Sequence, residues 1–165
     1  MSMEQKKLLE ARGLTVEFPL AGHKKVHAVS DVSLDVMEHE VLALVGESGC
    51  GKSTLGKTMI RLLEPTAGEI CFRGTPITGL SPKAFCDYRR QMQIVFQDPY
   101  ASLNPRMTVR DIVAEPLETY HVCESKEATT ARVVELLEAV GLTADHLYRY
   151  AHQFSGGQRQ RGGIA

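Results

Sequence analysis

The segment Gly46-Glu-Ser-Gly-Cys-Gly-Lys-Ser-Thr54 constrains the fold most, because it matches G-x-x-x-x-G-K-[ST] and lies between an apolar run and a helix-forming stretch. Glycines at such a loop let the backbone curl so that several N–H groups point at one anion, and the following helix adds the positive end of its dipole. The flanking residues fit that need. Val41-Leu-Ala-Leu-Val45 is apolar without alternation, the mark of a central parallel strand covered on both faces, and is expected as the core strand. Beyond the loop Leu55, Met59, Leu62 and Leu63 recur at helical spacing, and Pro65 marks where that helix should already have ended. A triphosphate matches the charge pattern. Lys52 would reach its β- and γ-phosphates, Ser53 would ligate Mg²⁺, and Thr54 would donate near the α-phosphate, with Gly46, Glu47, Ser48, Gly49, Cys50 and Gly51 as the cradle. Cys50 could be a reactive thiol beside Lys52 and the helix terminus, or a loop spacer without chemical consequence.

The rest of the chain supplies an α/β setting. Apolar residues alternate with polar ones at Leu14, Val16 and Phe18 and again at Val32, Leu34 and Val36, so strands are expected over Leu14–Phe18 and Val26–Val36, paired antiparallel. Gly68 to Gly74 reads as a short strand bounded by glycines, and Gln93-Ile-Val-Phe96 as another before the polar turn Gln97-Asp98-Pro99. From Asn104 to Tyr150 the texture becomes helical, clearest where Ser125 can cap a segment whose Val133, Leu136, Leu137 and Val140 share a face before Gly141. Pro76–Pro82 and Asp98–Pro105 are short enough to be loops within one domain of 165 residues.

Bulk properties exclude more than they name. With 19 basic and 20 acidic side chains the net charge is -1, so no field draws in nucleic acid, and no nucleic-acid partner is expected. The longest apolar stretch, Val41–Val45, is far short of the roughly 20 residues of a membrane-spanning helix. The first ten residues lack the apolar core and cleavage site of a secretion signal, and a cytoplasmic location is the default expectation. Cys50, Cys71, Cys86 and Cys123 form no CxxC pair and the six histidines are scattered, so neither a zinc site nor a disulfide framework is indicated.

A phosphate loop alone leaves kinases, GTPases and motor ATPases open. Phe154-Ser-Gly-Gly-Gln158, placed after the helical stretch and opening a new helix, resembles the signature motif of ATP-binding-cassette (ABC) proteins. Phe18, closing the first strand, matches the aromatic position on which that family stacks adenine, although a lone Phe in an alternating strand is more often core. Gln97 matches the glutamine of the Q-loop, which approaches Mg²⁺ and the attacking water, with an ordinary turn glutamine as the alternative. The runs Phe96–Thr108 and Arg149–Arg161 are similar to the ATP-binding subunits of dipeptide, oligopeptide and nickel importers, and the likeness covers essentially the whole chain.

The resemblance implies a P-loop NTPase core (about 8–100) with an antiparallel β subdomain, a helical subdomain (about 104–150), and a signature segment (154–165). It implies ATP and Mg²⁺ as cofactors. The partners would be a second ABC ATPase subunit, transmembrane permease subunits and, indirectly, a solute-binding protein, with the chain peripheral on the inner face of the cell membrane. In that family Ser155, Gly156, Gly157 and Gln158 of one subunit face the γ-phosphate held by the other, and closing the pair drives transport.

Three features depart from the family pattern. No counterpart exists here of the Walker B aspartate, the catalytic glutamate or the switch histidine, so the C-terminal part of the core is expected to be missing and turnover by this chain alone to be negligible. An unpaired sheet edge and an uncovered apolar face should follow. Gly162-Gly163, where the family usually has an aliphatic residue first, should fray the signature helix. A hydrolysis-incompetent nucleotide-binding remnant is therefore one alternative. A small-molecule P-loop kinase is another, disfavoured because strand-like sequence precedes the loop and nothing in a kinase needs Ser155-Gly-Gly-Gln158.

Overall fold

The computed structural model describes residues 6–22, 24–97 and 103–165. The opening of the segment tested for a secretion signal, and the Asp98-Pro99 turn with the start of the loop after it, lie outside them. The chain divides into two compact units, one ending at Gln93 and the other spanning Ile94–Ala165.

The first unit is built on a long hairpin. Strands β1 (Lys7–Pro19) and β2 (Lys25–Met37) pair antiparallel as the alternation predicts, and Leu20 N–H donates to Lys24 O at 2.7 Å where the chain turns. Strand β3 (Ala67–Phe72) pairs antiparallel with the other edge of β1, bringing Ala11 opposite Ile70, and the two-residue β4 (Thr75–Pro76) completes the order β2-β1-β3-β4. One face of this sheet carries Leu14, Val16, Val29 and Ile70, all buried. Helix α1 (Lys52–Met59) packs Leu55 and Met59 into the same core.

Helix α2 (Pro82–Arg89) adds Phe85, which is 2% exposed. Its sequence signal, Ser81 as cap followed by Pro82, lies at the end of the stretch read only as loop; the Ser81 hydroxyl oxygen accepts from the Ala84 N–H. Arg61 joins α1 to that region. Its guanidinium, 9% exposed as a residue, donates to Ile77 O at 2.7 Å and Leu80 O at 3.1 Å, pairs with Glu64, and lies 4.5 Å from the centre of the Phe85 ring.

Three local expectations fail here. Val41–Val45 is not a strand, and Val41 and Val45 are 97% and 94% exposed. Gln93–Phe96 is not a strand either, with Val95 and Phe96 exposed. A parallel strand needs neighbours for its N–H and C=O groups, and the four described strands pair wholly with one another. Apolar composition by itself supplies no ladder. Leu62 and Leu63 fall outside α1, because Arg61 takes a left-handed conformation (φ 54°) and reverses the chain four residues before Pro65; the Arg61 N–H bonds Thr58 O, and the Leu62 N–H bonds Lys57 O.

The second unit is helical, as the Asn104–Tyr150 texture predicts. Helix α3 (Val109–Thr119) is capped by Thr108, and α4 (Lys126–Ala139) by Ser125, whose hydroxyl oxygen accepts from the Ala128 N–H at 3.1 Å. Val133 and Leu137 are fully buried, and Gly141 (φ 75°) closes α4 in the left-handed region that glycine favours. Short 3₁₀ turns at Ala144–His146 and Ala151–Gln153 lead to helix α5 (Gly156–Ile164). This helix runs unbroken through Gly162-Gly163, contrary to the expected fraying. Gly162 is buried, with Leu142 beside it, and burial against the unit's core outweighs the low helix propensity of glycine.

Candidate nucleotide-binding site

Gly46–Thr54 forms the loop that the motif predicts, even without a strand before it. Gly49 (φ 81°) and Gly51 (φ 97°) both occupy the left-handed region. Gly51 has a second reason to be glycine, since a β-carbon there would come 2.1 Å from the Ala28 carbonyl oxygen on β2. The chain can thus pass tightly under β2 and open α1 in the core.

Gly51 is the N-cap residue of α1 and provides no side-chain cap, and no acidic residue stands in the first turn. The opening N–H groups of Lys52, Ser53 and Thr54 precede any intrahelical acceptor, so their donors and the helix dipole are available to an anion. Lys52 spans the loop mouth. Its ammonium donates to Gly46 O at 2.8 Å, to Glu47 O at 2.5 Å and to Cys50 Sγ at 3.4 Å. Ser53, Glu47, Ser48 and Cys50 are all exposed to solvent. A groove borders the loop, lined among others by His27, Ala28, Val29, Leu44, Cys50 and Lys52. The loop offers an anion a lysine, free N–H groups and hydroxyls in one place.

Phe18 lies in the same unit, at the end of β1, 40% exposed and directly opposite Val26 of β2. The neighbouring register pair is Glu17 with His27. Glu17 receives Lys25 Nζ at 2.5 Å and lies 3.3 Å from His27 Nδ1. The hydrogen bond from Lys25 is the main cause holding the Glu17 carboxyl below its ordinary pKa, aided by the nearby positive charge. The three side chains satisfy one another.

The signature residues belong to the second unit. Ser155 is the N-cap of α5, its hydroxyl oxygen accepting from Gln158 N–H at 3.3 Å while the Gln158 side-chain oxygen accepts from Ser155 N–H at 3.0 Å. This reciprocal capping box leaves the Ser155 hydroxyl proton, the Gln158 side-chain NH₂ and the N–H groups of Gly156 and Gly157 as donors. Arg159 braces the approach, donating from Nε to Phe154 O at 3.1 Å and from Nη2 to His152 O at 3.4 Å. Gln97 is exposed, in a bend of the same second unit. The structure therefore gathers the loop residues and Phe18 in one unit and Ser155–Gln158 with Gln97 in the other.

Two features around the loop and Phe18 were not legible beforehand. The Ala28 carbonyl that demands glycine at position 51 is a backbone group and leaves no side-chain signal. Val26 faces Phe18 only because the β1–β2 register shifts between the Val16–Val29 and Glu17–His27 pairs, which alternation alone does not foretell. Among the described residues no group of three or more His, Cys, Asp or Glu is placed to hold a metal ion.

Comparison with known proteins agrees with these features. The family model described as "ABC transporter" matches residues 29–165. The chain is 53% identical over 160 residues to the oligopeptide transport ATP-binding protein OppF of Bacillus subtilis, covering 96% of this chain and 52% of that protein. It is 50% identical over 160 residues to the glutathione import ATP-binding protein GsiA of Escherichia coli O157:H7, covering 93% of this chain and 26% of that protein. Among solved structures, the dimeric ATP-binding cassette MJ0796 in a post-hydrolysis state with ADP and Pi superposes with a TM-score of 0.82 at 29% identity, covering 95% of this chain and 67% of that one. The chain thus spans about half the length of OppF. A phosphate-type loop ahead of an uncapped helix, a signature-type helix start and a family match over residues 29–165 lead to one identification: the chain belongs to the ABC transporter family and carries the fold of its ATP-binding cassettes.

Proposed function

We propose that the Gly46–Thr54 loop binds MgATP and that the chain is the nucleotide-binding part of a subunit energising import of peptides. The observation that carries the reading is the position of Lys52 across the mouth of a loop whose helix has no side-chain cap. On binding, Lys52 would exchange its bonds to the neutral Gly46 and Glu47 carbonyls for bonds to phosphate oxygens, in which the acceptor is charged as well as the donor. Ser53 would hold Mg²⁺ and Phe18 would stack on the base, while Gln97, in the second unit, would keep the Q-loop role that the family likeness gives it. The metal would neutralise charge on the phosphates. Peptide as solute is favoured by the OppF and GsiA names, which describe oligopeptide and glutathione transport.

Ser155, Gly156, Gly157 and Gln158 would serve the nucleotide of a second cassette, with permease subunits and a solute-binding protein completing the machine at the membrane. Among the described residues lining the groove beside the loop, none is a carboxylate. We therefore expect this polypeptide to hold MgATP without sustained turnover, since no group there orients water. Cys50 provides the test of occupancy. It is exposed, 3.4 Å from Lys52 Nζ, and MgATP should slow its alkylation by a small thiol reagent several-fold while leaving exposed Cys86 unaffected. Equal rates at Cys50 with and without nucleotide would place the nucleotide elsewhere.

A further inference from the structure

We propose that Val41–Val45 is a self-complementary strand through which two copies of this chain pair antiparallel about a two-fold axis at Ala43. The run follows β2 after the turn at Glu38-His39 and has no regular secondary structure. All five residues are exposed, Val41 and Val45 almost wholly and Leu42 and Leu44 by 42% and 41%. Among the described residues none of its N–H or C=O groups takes part in a hydrogen bond. Both flanks, by contrast, are tied down. The Met37 N–H donates to the Glu40 carboxylate at 2.7 Å on one side, and Lys52 holds the Gly46 and Glu47 carbonyls on the other. Five consecutive peptide groups and four large apolar side chains are left open between them, which is the surface a pairing strand completes.

The order of the residues identifies the occupant. Val-Leu-Ala-Leu-Val reads the same in both directions, so antiparallel pairing centred on Ala43 sets Val41 opposite Val45 of the second copy and Leu42 opposite Leu44 of the second copy. Symmetry repeats each pair, and alanine meets alanine on the axis, where a small side chain permits close approach. Branched apolar residues facing one another in this way are favoured cross-strand pairs.

The flanking charges agree with the same register. His39 falls opposite Glu47 of the second copy, Glu40 opposite Gly46 and Glu38 opposite Ser48, so no carboxylate meets another. Parallel pairing in register would instead set Glu38, Glu40 and Glu47 each against its own copy, and like charges directly opposite are destabilising. Antiparallel pairing is therefore selected over an open parallel stack. On one side the run borders its own unit, where Leu44 and Val45 line a groove with Val29 and Leu55, and the association closes at two copies.

Sedimentation velocity of the full chain without nucleotide, from about 2 µM to about 200 µM, covers the range in which a small interface dissociates. The expected result is a reversible shift from 18.2 kDa to twice that mass. Ala43→Arg places two guanidinium groups against each other on the axis and should raise the concentration of half-association by about tenfold or more. Its monomer should keep the parental thermal midpoint, because residue 43 is exposed. His39→Glu should weaken association by about threefold to tenfold, and Glu47→Lys added to it should restore the parental value. A chain that stays monomeric at about 200 µM, a dimer indifferent to Ala43→Arg, or growth past the dimer into open-ended assemblies would overturn the proposal. Failure of Glu47→Lys to rescue His39→Glu would overturn the register on which it rests.

Discussion

Lys52→Ala is expected to weaken MgATP binding to this chain by about a hundredfold or more, while leaving its circular dichroism spectrum and unfolding midpoint unchanged. The side chain is no part of the hydrophobic core; among the described residues its ammonium donates to the Gly46 and Glu47 carbonyls and to Cys50 Sγ within the same loop. Removing it therefore strands no buried partner. What is lost is a cation able to make two or three charge-assisted bonds to a triphosphate, each worth about 1.5–3 kcal/mol. Equilibrium dialysis against labelled MgATP measures the loss, and affinities within twofold of each other would reject the lysine's role. The same two proteins test turnover. Phosphate release by the parent chain should not exceed that of Lys52→Ala, whereas a steady rate abolished by the substitution would show that the chain assembles a hydrolytic site without a carboxylate in the groove.

Arg61→Met should produce a large loss of stability for a side chain outside the hydrophobic core proper. The Ile77 and Leu80 carbonyls receive the guanidinium at 2.7 and 3.1 Å. Methionine fills much of the same volume but donates nothing: the buried Ile77 carbonyl keeps only the long bond from the Leu80 N–H at 3.4 Å, and the half-buried Leu80 carbonyl loses the guanidinium, a loss of about 1–3 kcal/mol for an acceptor left short of a partner. The stacking of the guanidinium over Phe85, 4.5 Å from its centre, goes as well. A total near 3 kcal/mol lowers the thermal midpoint of a unit this size by roughly 10 °C or more. Glu64→Gln is the control. The Glu64 side chain is 60% exposed, so its ion pair with Arg61 is largely screened by water and its removal should shift the midpoint by only a degree or two. Equal shifts for the two variants would mean that the ion pair, not the carbonyl bonds, secures this corner.

The parts of the molecule legible in the sequence are those whose signals are local. Ser125 and Ser155 cap helices as their positions suggest, because a hydroxyl at a helix start bonds N–H groups only three residues away. The β1–β2 hairpin follows from alternation within a single stretch of chain. The left-handed turn at Gly51 and the closeness of Lys52 to the Gly46 carbonyl follow from a motif of fixed spacing. Val41–Val45 and Gln93–Phe96 failed for a different reason. Their apolar composition states a preference for burial, but a strand exists only when another strand completes its ladder, and none of the described strands does so. The left-handed turn at Arg61 that ends α1 early was equally hidden, since it is fixed by the arginine's bonds to residues 77 and 80 and not by a glycine at the helix end. Conformation set within a few residues was readable; the long-range partners that shape the surroundings of the loop were not.

Occupancy of the loop by nucleotide is the claim on which everything else depends, and amide hydrogen exchange with and without MgATP examines it residue by residue. Saturable slowing of exchange over Gly49–Thr54, with little change at the Val133–Leu137 core of α4, is the expected result, because the loop's N–H groups would be bonded to phosphate only when nucleotide is present. Unchanged exchange across Gly46–Thr54 at nucleotide concentrations that saturate the chain would contradict the assignment of this loop as the phosphate site.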